Sequence, residues 1–417
     1  MGPSCSTTMT RRTLLKILAA APVTPLFPSL MTYAAPYTGK LKITAIKVLG
    51  LQRPVATGNC LIKVETDAGL CGIGEAGSTG EMAKARIQTM GPLLIGKDPL
   101  AIEKHFFELS SLMHTYTAHI PTISGIDMAL WDLAGKILGR PVYELMGGPF
   151  RDAVPMYSHG DGFDMLDKGA VRAWAELVKT RPEGFKAYKN SINFILGLPA
   201  ARYANTLMHE DLKKIRTAYS NCREAVGEDI DIAVHCHNEF DTPSAIAVAK
   251  AVEPMDPLFI EDALNPPYSE GWMALRRSTR IPLLTGEKLE LVRGFKPFLD
   301  TQAVDIIHPD LAFSGGFTGT RKIADYAALS RTPVALHNVG TLVLTFASAH
   351  FAASIQNFYR SESALGRPTH YVEDMAASNP PIVKNSLLQL PKGPGLGLDL
   401  NTDFLKKHMA DGETWWG

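Results

Sequence analysis

The sequence predicts an α/β protein, a parallel β/α barrel preceded by a smaller α+β cap. Three observations carry this expectation. From about residue 153, eight short apolar runs alternate with helical stretches, the pattern of a parallel sheet closed on itself. The runs are almost continuously apolar, as strands covered on both faces are. Polar residues stand at their C-terminal ends, and from His235 onward they recur at intervals of 26, 26, 23, 27 and 25 residues. A strand, a helix and two short loops take about that many. Each polar residue therefore advances one strand and returns to the same rim.

Composition sets the outer limits. The chain has 417 residues, 46% of them hydrophobic, enough for one large domain and a smaller one. Lys and Arg number 42, as do Asp and Glu. With neither a basic field for nucleic acid nor a polyanionic tail, an enzyme acting on a small molecule is the plain expectation.

Residues 1–35 read as a targeting segment. "TRRTLLKILAAAPVTPLFPSLMTYAA" pairs Arg11 with Arg12, continues in an apolar run over 14–21, and ends in small residues at Ala34 and Ala35. The run is too short to span a bilayer. Its pattern resembles a twin-arginine export signal cleaved near Ala34. It predicts a periplasmic or exported protein with no stable membrane association after the segment is removed, an uncleaved anchor being the other reading.

Residues 41–152 read as the cap. Two alternating runs, "LKITAIKVLGL" and "CLIKVETDAGLCGIGEA", take a turn at Asp67-Ala68-Gly69. Residues 81–146 carry helical spacing, clearest in "GIDMALWDLAGKILG", which Gly139-Arg140-Pro141 stops. Cys60 and Cys71 fall on these runs and in an exported chain would be open to pairing, against the reading that they, Cys222 and Cys236 are buried free thiols.

The barrel spans 153–375, with strands at 154–159, 184–191, 230–237, 257–262, 282–287, 304–310, 333–338 and 355–362. Residues 376–417, turn-rich in "SLLQLPKGPGLGLDL", form a tail returning to the cap. The strand-end polar residues are Lys189, His235, His237, Glu261, Glu287, Asp310, His337 and Glu362. In "IAVHCHNEFD", strand alternation puts His235 and His237 on one face and Cys236 on the other. Two such imidazoles are metal ligands, a proton-transfer pair or core histidines, and the stretch alone does not choose. His159 ends the first strand and either reaches the site or makes a structural bond. His308 is expected deeper in its strand than Asp310.

Their chemistry is specific when taken together. Glu261 and Glu287, on adjacent strands, offer hard oxygens to one divalent cation, with His235 in phase as a third ligand. Asp310 beside His337 orients the imidazole and raises its basicity, making His337 a general base. His237, placed across the site, is the partner that donates a proton. Glu362 is placed to hydrogen-bond developing oxyanion charge. These parts suit proton abstraction next to a carboxylate.

At this point the sequence resembles the enolase superfamily, mandelate racemase subgroup. The match runs nearly end to end through "GIDMALWDLAGKILGRPVYELMGG", "FIED", "LLTGEKL", "IIHPDLAFSGGFTGTRKIA" and "ALHNVG", with "GLCGIGEAG" and "LPKGPGLGLDL" at the cap strand and tail. The resemblance implies a modified (β/α)8 barrel of (β/α)7β type. It is nearest to acid-sugar dehydratases of the galactonate type. By that resemblance His337 removes the C2 proton of a sugar acid and His237 protonates the departing C3 hydroxyl. A cation on His235, Glu261 and Glu287 stabilises the enediolate, and the product is a 2-keto-3-deoxy acid.

The same resemblance assigns Glu362 to the strand-eight acid and Lys189 to the substrate carboxylate, and it implies a homo-oligomer. Ala187 stands where the racemases carry the first lysine of a Lys-x-Lys pair, which disfavours a lysine-based racemase. His235 departs from the family's usual Asp. That shifts the expected cation from the family's Mg2+ toward Mn2+ or another first-row metal, with Glu239 or Asp241 as a substitute ligand, or a degraded site, as alternatives. An epimerase or lactone cycloisomerase is the second enzyme reading, and a sugar-acid-binding protein without turnover is the third.

Overall fold

The computed structural model describes residues 40–53, 55–56, 58–111, 118–160, 162–197, 206–237, 240–363, 374–377 and 383–416. The segment read as a targeting signal, and Glu239 among the alternative ligands, lie outside the described residues. No helix among the described residues is long and apolar enough to cross a membrane.

The chain opens with an antiparallel sheet of β1 (Ile43–Gly50), β2 (Cys60–Thr66) and β3 (Cys71–Ala76). Gly69 makes the β2–β3 turn at φ +74°, a conformation that favours glycine. Helices Gly80–Leu94, Ile102–Ser110 and Ile120–Leu138 follow. The last is buried along most of its length and ends at Gly139 in the left-handed conformation. It lies directly on β3, where a side chain at Gly72 or Gly74 would run into the carbonyls of Ala129 and Gly125. The glycines of "GLCGIGEAG" are thus the condition for this close contact. Cys60 pairs with Ala76 and Cys71 with Glu65, so the two thiols sit at opposite ends of the ladder. That rules out the bond entertained above, and the four described cysteines form no disulfide.

Eight parallel strands then close into a barrel: β4 (Ala153–His159), β5 (Ala187–Ser191), β6 (Asp231–His235), β7 (Ile260–Glu261), β8 (Leu283–Thr285), β9 (Ile306–Ile307), β10 (Val334–Leu336) and β11 (Phe358–Ser363). β11 pairs with β4 to shut the ring. Several strands are shorter than their apolar runs, because the residues carrying the chemistry have already left the ladder. A short hairpin, β12 (Val383–Lys384) and β13 (Leu387–Gln389), pairs antiparallel with the start of β4. Beyond it the tail bridges Gly395 to Pro141 and Met409 to Leu51.

The barrel interior is layered. Tyr157, Ala187, Ala233, Phe259, Leu284, Ile306 and Ala335, one per strand from β4 to β10, form a buried cluster. Four large side chains share this layer with three alanines, which leaves room for the inward side chains to pack. Side chains repeat every two residues along a strand, so the next inward layer reads His159, Lys189, His235, Glu261, Gly286, His308 and His337. An apolar floor carries a polar ring.

Two buried polar side chains tie the barrel to its surroundings. Glu75, from the end of β3, accepts hydrogen bonds from Thr341 N, Thr341 Oγ1, Leu344 N and Asn59 Nδ2 at 2.6–3.1 Å. It thereby caps helix Leu342–Ser354 and holds the loop that follows His337. His350, inside that helix, accepts from Tyr143 N through Nδ1 at 3.3 Å and donates from Nε2 to Leu396 O at 3.1 Å. Acceptance at Nδ1 requires a neutral ring, whereas the bond to Leu396 does not.

Burial pulls His350 down to about 4, with its bond to Leu396 opposing. The unfolded chain therefore takes up a proton first as pH falls. Stability is complete above pH ~6.5 and drains between there and about 4, by ~2 kcal/mol at pH 5. Urea unfolding of His350→Gln should show a smaller stability difference between pH 7.5 and 5 than the parent; an equal difference would remove His350 as the cause.

Candidate active site

The polar ring gathers at the C-terminal mouth of the barrel, where β/α enzymes build their sites. His235 and Glu261 are cross-strand neighbours in the β6–β7 ladder. Glu287 arrives differently. Gly286 holds the inward position at φ +146°, and a side chain there would press on His308 N at 2.8 Å. The chain turns at this glycine and delivers Glu287 to the same corner. His235 Nε2 lies 3.6 Å from Glu261 Oε1 and 4.0 Å from Glu287 Oε2.

One residue that sequence reasoning passed over joins them. Asp262 follows Glu261 and in a regular strand would face outward, but its φ is +53°. That turn brings it to the corner, where Thr285 Oγ1 donates to its Oδ1 at 2.6 Å. One donor atom each from His235, Glu261, Asp262 and Glu287 lies within 4.8 Å of every other. His235 Nε2, Glu261 Oε2 and Asp262 Oδ2 are buried with no hydrogen-bond partner. Buried polar atoms are ordinarily paired, so this donor set fits a divalent cation. Burial, aided by the charge on Lys189, drives His235 well below the ordinary imidazole range, and burial drives Glu261 well above the carboxylate range. Burial also acts on Glu287, but His337, Lys189 and Lys288 outweigh it and hold that carboxyl near 2. Asp241, the other alternative ligand, caps helix Thr242–Val252 and bonds Thr206.

On the next strands Asp310 and His337 form a buried pair. His337 Nδ1 is 2.7 Å from Asp310 Oδ2, while Asp310 Oδ1 accepts from Ala312 N at 2.7 Å. The carboxylate is thus fixed at both oxygens. It takes the Nδ1 proton and leaves Nε2 pointing to the site, 3.2 Å from Glu287 Oε2. Burial opposes a charged imidazole here, but Glu287, Glu362 and Asp310 together raise His337 to about 10.

His237 reaches the site by another route than expected. Its strand ends at His235, and His237 has φ +52°. The turn stacks its ring on that of His235, centroids 3.6 Å apart. Strand alternation does not place it, as the sequence reading assumed. Its Nδ1 lies 3.4 Å from Ser191 Oγ and Asn193 Nδ2, and its carbonyl accepts from Lys288 Nζ at 3.0 Å. Burial lowers it to about 4, with Glu287 opposing.

Glu362 is the hub on the far side. His159 Nε2 touches its Oε1, Lys189 Nζ lies 2.9 Å from the same oxygen, and Tyr157 OH is 3.5 Å from Oε2. Burial would raise this carboxyl, but Lys189, His159 and His337 hold it well below the ordinary range. Ionised, it accepts hydrogen bonds and does not donate them. Lys189 sits on β5, as expected. Its side chain is wholly buried and its ammonium bridges Glu362 and Glu261, 2.8 Å from the latter, so it is not presented to a ligand. His159 remains one-fifth exposed. His308 lies deeper than Asp310, as expected, and joins the inward ring. It is fully buried, 3.0 Å from Tyr157 OH, 3.7 Å from Glu261 and 3.8 Å from Glu362. The period-two step from Ile306 places it in the ring, a signal the strand-end count overlooked.

Comparison with known proteins gives a consistent picture. Residues 52–147 match the mandelate racemase / muconate lactonizing enzyme N-terminal domain, and residues 172–404 the enolase C-terminal domain-like family. The chain is 35% identical to a D-xylonate dehydratase of Haloferax volcanii, over 88% of this chain and 90% of that protein. It is 31% identical to a D-gluconate dehydratase of Thermoproteus tenax, over 85% and 71%. It is also 31% identical to a D-galactonate dehydratase of Xanthomonas campestris pv. campestris, over 85% and 92%. Among solved structures, a mandelate racemase/muconate lactonizing enzyme-like protein from Rubrobacter xylanophilus superposes with a TM-score of 0.81 at 29% identity, over 90% of this chain and 99% of that one. A mandelate racemase/muconate lactonizing enzyme from Sulfitobacter gives 0.79 at 26%, over 90% and 97%.

Proposed function

Because this chain belongs to the mandelate racemase / muconate lactonizing enzyme group of the enolase superfamily, we propose that it is a hydro-lyase that dehydrates a sugar acid to a 2-keto-3-deoxy acid. The observation that carries the reading is the Asp310-backed His337, whose free nitrogen points at a buried corner of carboxylates and an imidazole. The dehydratase names of the xylonate, gluconate and galactonate relatives support it.

His235, Glu261 and Glu287 would hold a divalent cation, which supplies positive charge to the substrate carboxylate as its α-proton leaves and offsets the carboxylate field that now keeps His337 protonated. The remaining steps belong to the chain's own side chains. His337 Nε2 takes the C2 proton while Nδ1 stays bonded to Asp310. The C3–O bond breaks as His237 gives a proton to the departing hydroxyl, which leaves as water. An incoming sugar-acid carboxylate beside His237 favours its charged form. Ionised Glu362 and partly exposed His159 receive substrate hydroxyls. The enol left behind takes a solvent proton at C3 and becomes the keto acid.

A panel of aldonic and aldaric acids, assayed for keto-acid formation with Mg2+ and with Mn2+, tests the proposal. At least one acid should lose water. Epimerised acids with no keto acid would replace dehydration by racemase-type chemistry, and binding without turnover would make the chain a sugar-acid receptor.

A further inference from the structure

Resting on the cation reading above, we infer that Asp262 is a fourth protein ligand, so that the site is one imidazole and three carboxylates and favours Mn2+ over Mg2+. The argument begins with the backbone. Asp262 adopts a left-handed conformation that costs a side-chain-bearing residue energy. The turn moves a carboxylate from the helix-facing side of the strand into the corner shared by His235, Glu261 and Glu287.

A purely structural acid at this turn would use both oxygens on protein donors. Here only Oδ1 is used, by Thr285 at 2.6 Å. Oδ2 is buried without a partner, in a residue 1% exposed. The Thr285 bond therefore aims the carboxylate. It fixes one oxygen and leaves the other turned to the donors around it.

The charge count gives the selectivity. Three carboxylates supply the anionic oxygens any hard divalent ion requires, and the imidazole adds a nitrogen that strengthens binding along the first transition row while doing little for Mg2+. Position 235 and position 262 then act as one unit. Exchanging their chemistry, as in H235D/D262N, keeps the carboxylate count at three, moves one carboxylate to position 235 and removes the imidazole nitrogen.

Calorimetric titration of the chelator-treated full chain with Mn2+ and with Mg2+ tests this. The parent should bind Mn2+ more tightly than Mg2+. D262N, which keeps an oxygen for Thr285, should bind Mn2+ at least tenfold more weakly, and H235D/D262N should narrow or reverse the preference. Mn2+ affinity in D262N within twofold of the parent, with E261Q losing it, would overturn the assignment of Asp262 and leave the cation reading standing. A parent that binds neither ion would overturn both. Should D262N melt below the assay temperature, T285V asks the same question. Weaker Mn2+ binding supports the aimed carboxylate, and unchanged binding overturns it.

Discussion

His337→Asn should lower kcat for sugar-acid dehydration by about a thousand- to ten-thousand-fold, the size of a lost general base. The substitution removes the nitrogen facing the substrate and keeps a side chain able to bond Asp310. KM should change little, because the imidazole acts on a carbon-bound proton and not on a group that anchors the ground state. Asp310→Asn should follow it at a smaller amplitude. Without the carboxylate at 2.7 Å the ring loses both its orientation and the partner that keeps the Nδ1 proton. The histidine variant should stay folded, since Asp310 Oδ1 keeps its own bond from Ala312 N, 2.7 Å in the parent. Single-turnover rates and circular dichroism check the two halves of the expectation. An asparagine variant that keeps a tenth or more of the parent's rate would assign the base elsewhere.

Removing the cation should be the second large effect. Exhaustive chelation should take keto-acid formation to background, and Mn2+ should restore it. Glu287→Gln should lose most activity even at saturating metal. It deletes a charge shared by the cation corner and His337, whose Nε2 lies 3.2 Å away. The stability of the two forms should move oppositely. Metal-free E287Q loses a carboxylate whose charge His337, Lys189 and Lys288 stabilise, so its melting temperature should fall. The metal-loaded parent should melt higher than the metal-free parent by binding linkage. Turnover that persists unchanged after chelation would exclude a cation from the chemistry.

The spacing of strand-end residues made most of this site readable before any coordinates. A β/α unit has a nearly fixed length, and side chains at one rim must recur with it. Glu261, Asp310, His337 and Glu362 followed from that periodicity alone. The residue it misplaced and the one it missed share a physical cause. His237 and Asp262 lie just past ladder ends, at φ +52° and +53°. Alternation no longer governs direction there, and neither side chain announces a left-handed backbone. Glu287 came out right only because Gly286 turns the chain before it. His308 and Tyr157 were legible in another way, as successive inward layers below the rim. Counting from the rim alone hid them.

Lys189 shows the remaining limit. A lysine at a strand end suggests a substrate anchor, but the structure buries its ammonium between Glu261 and Glu362 at 2.8 and 2.9 Å. Only the three-dimensional sum of charges decides whether such a group faces a ligand or holds two acids apart. The cap was readable for a simpler reason. Its glycines sit where helix Ile120–Leu138 meets β3, and no other residue fits that contact.

Hydrogen exchange at the substrate's α-carbon tests the central claim most directly, because it isolates the step assigned to His337 from loss of water. In D2O, with Mn2+ and an acid that the parent dehydrates, the parent should yield keto acid carrying deuterium at C3. His237→Asn should release and exchange the C2 proton while eliminating little water, and His337→Asn should do neither. Exchange at C2 that survives in His337→Asn would contradict proton abstraction by His337, and parent keto acid without deuterium at C3 would contradict ketonisation by a solvent proton.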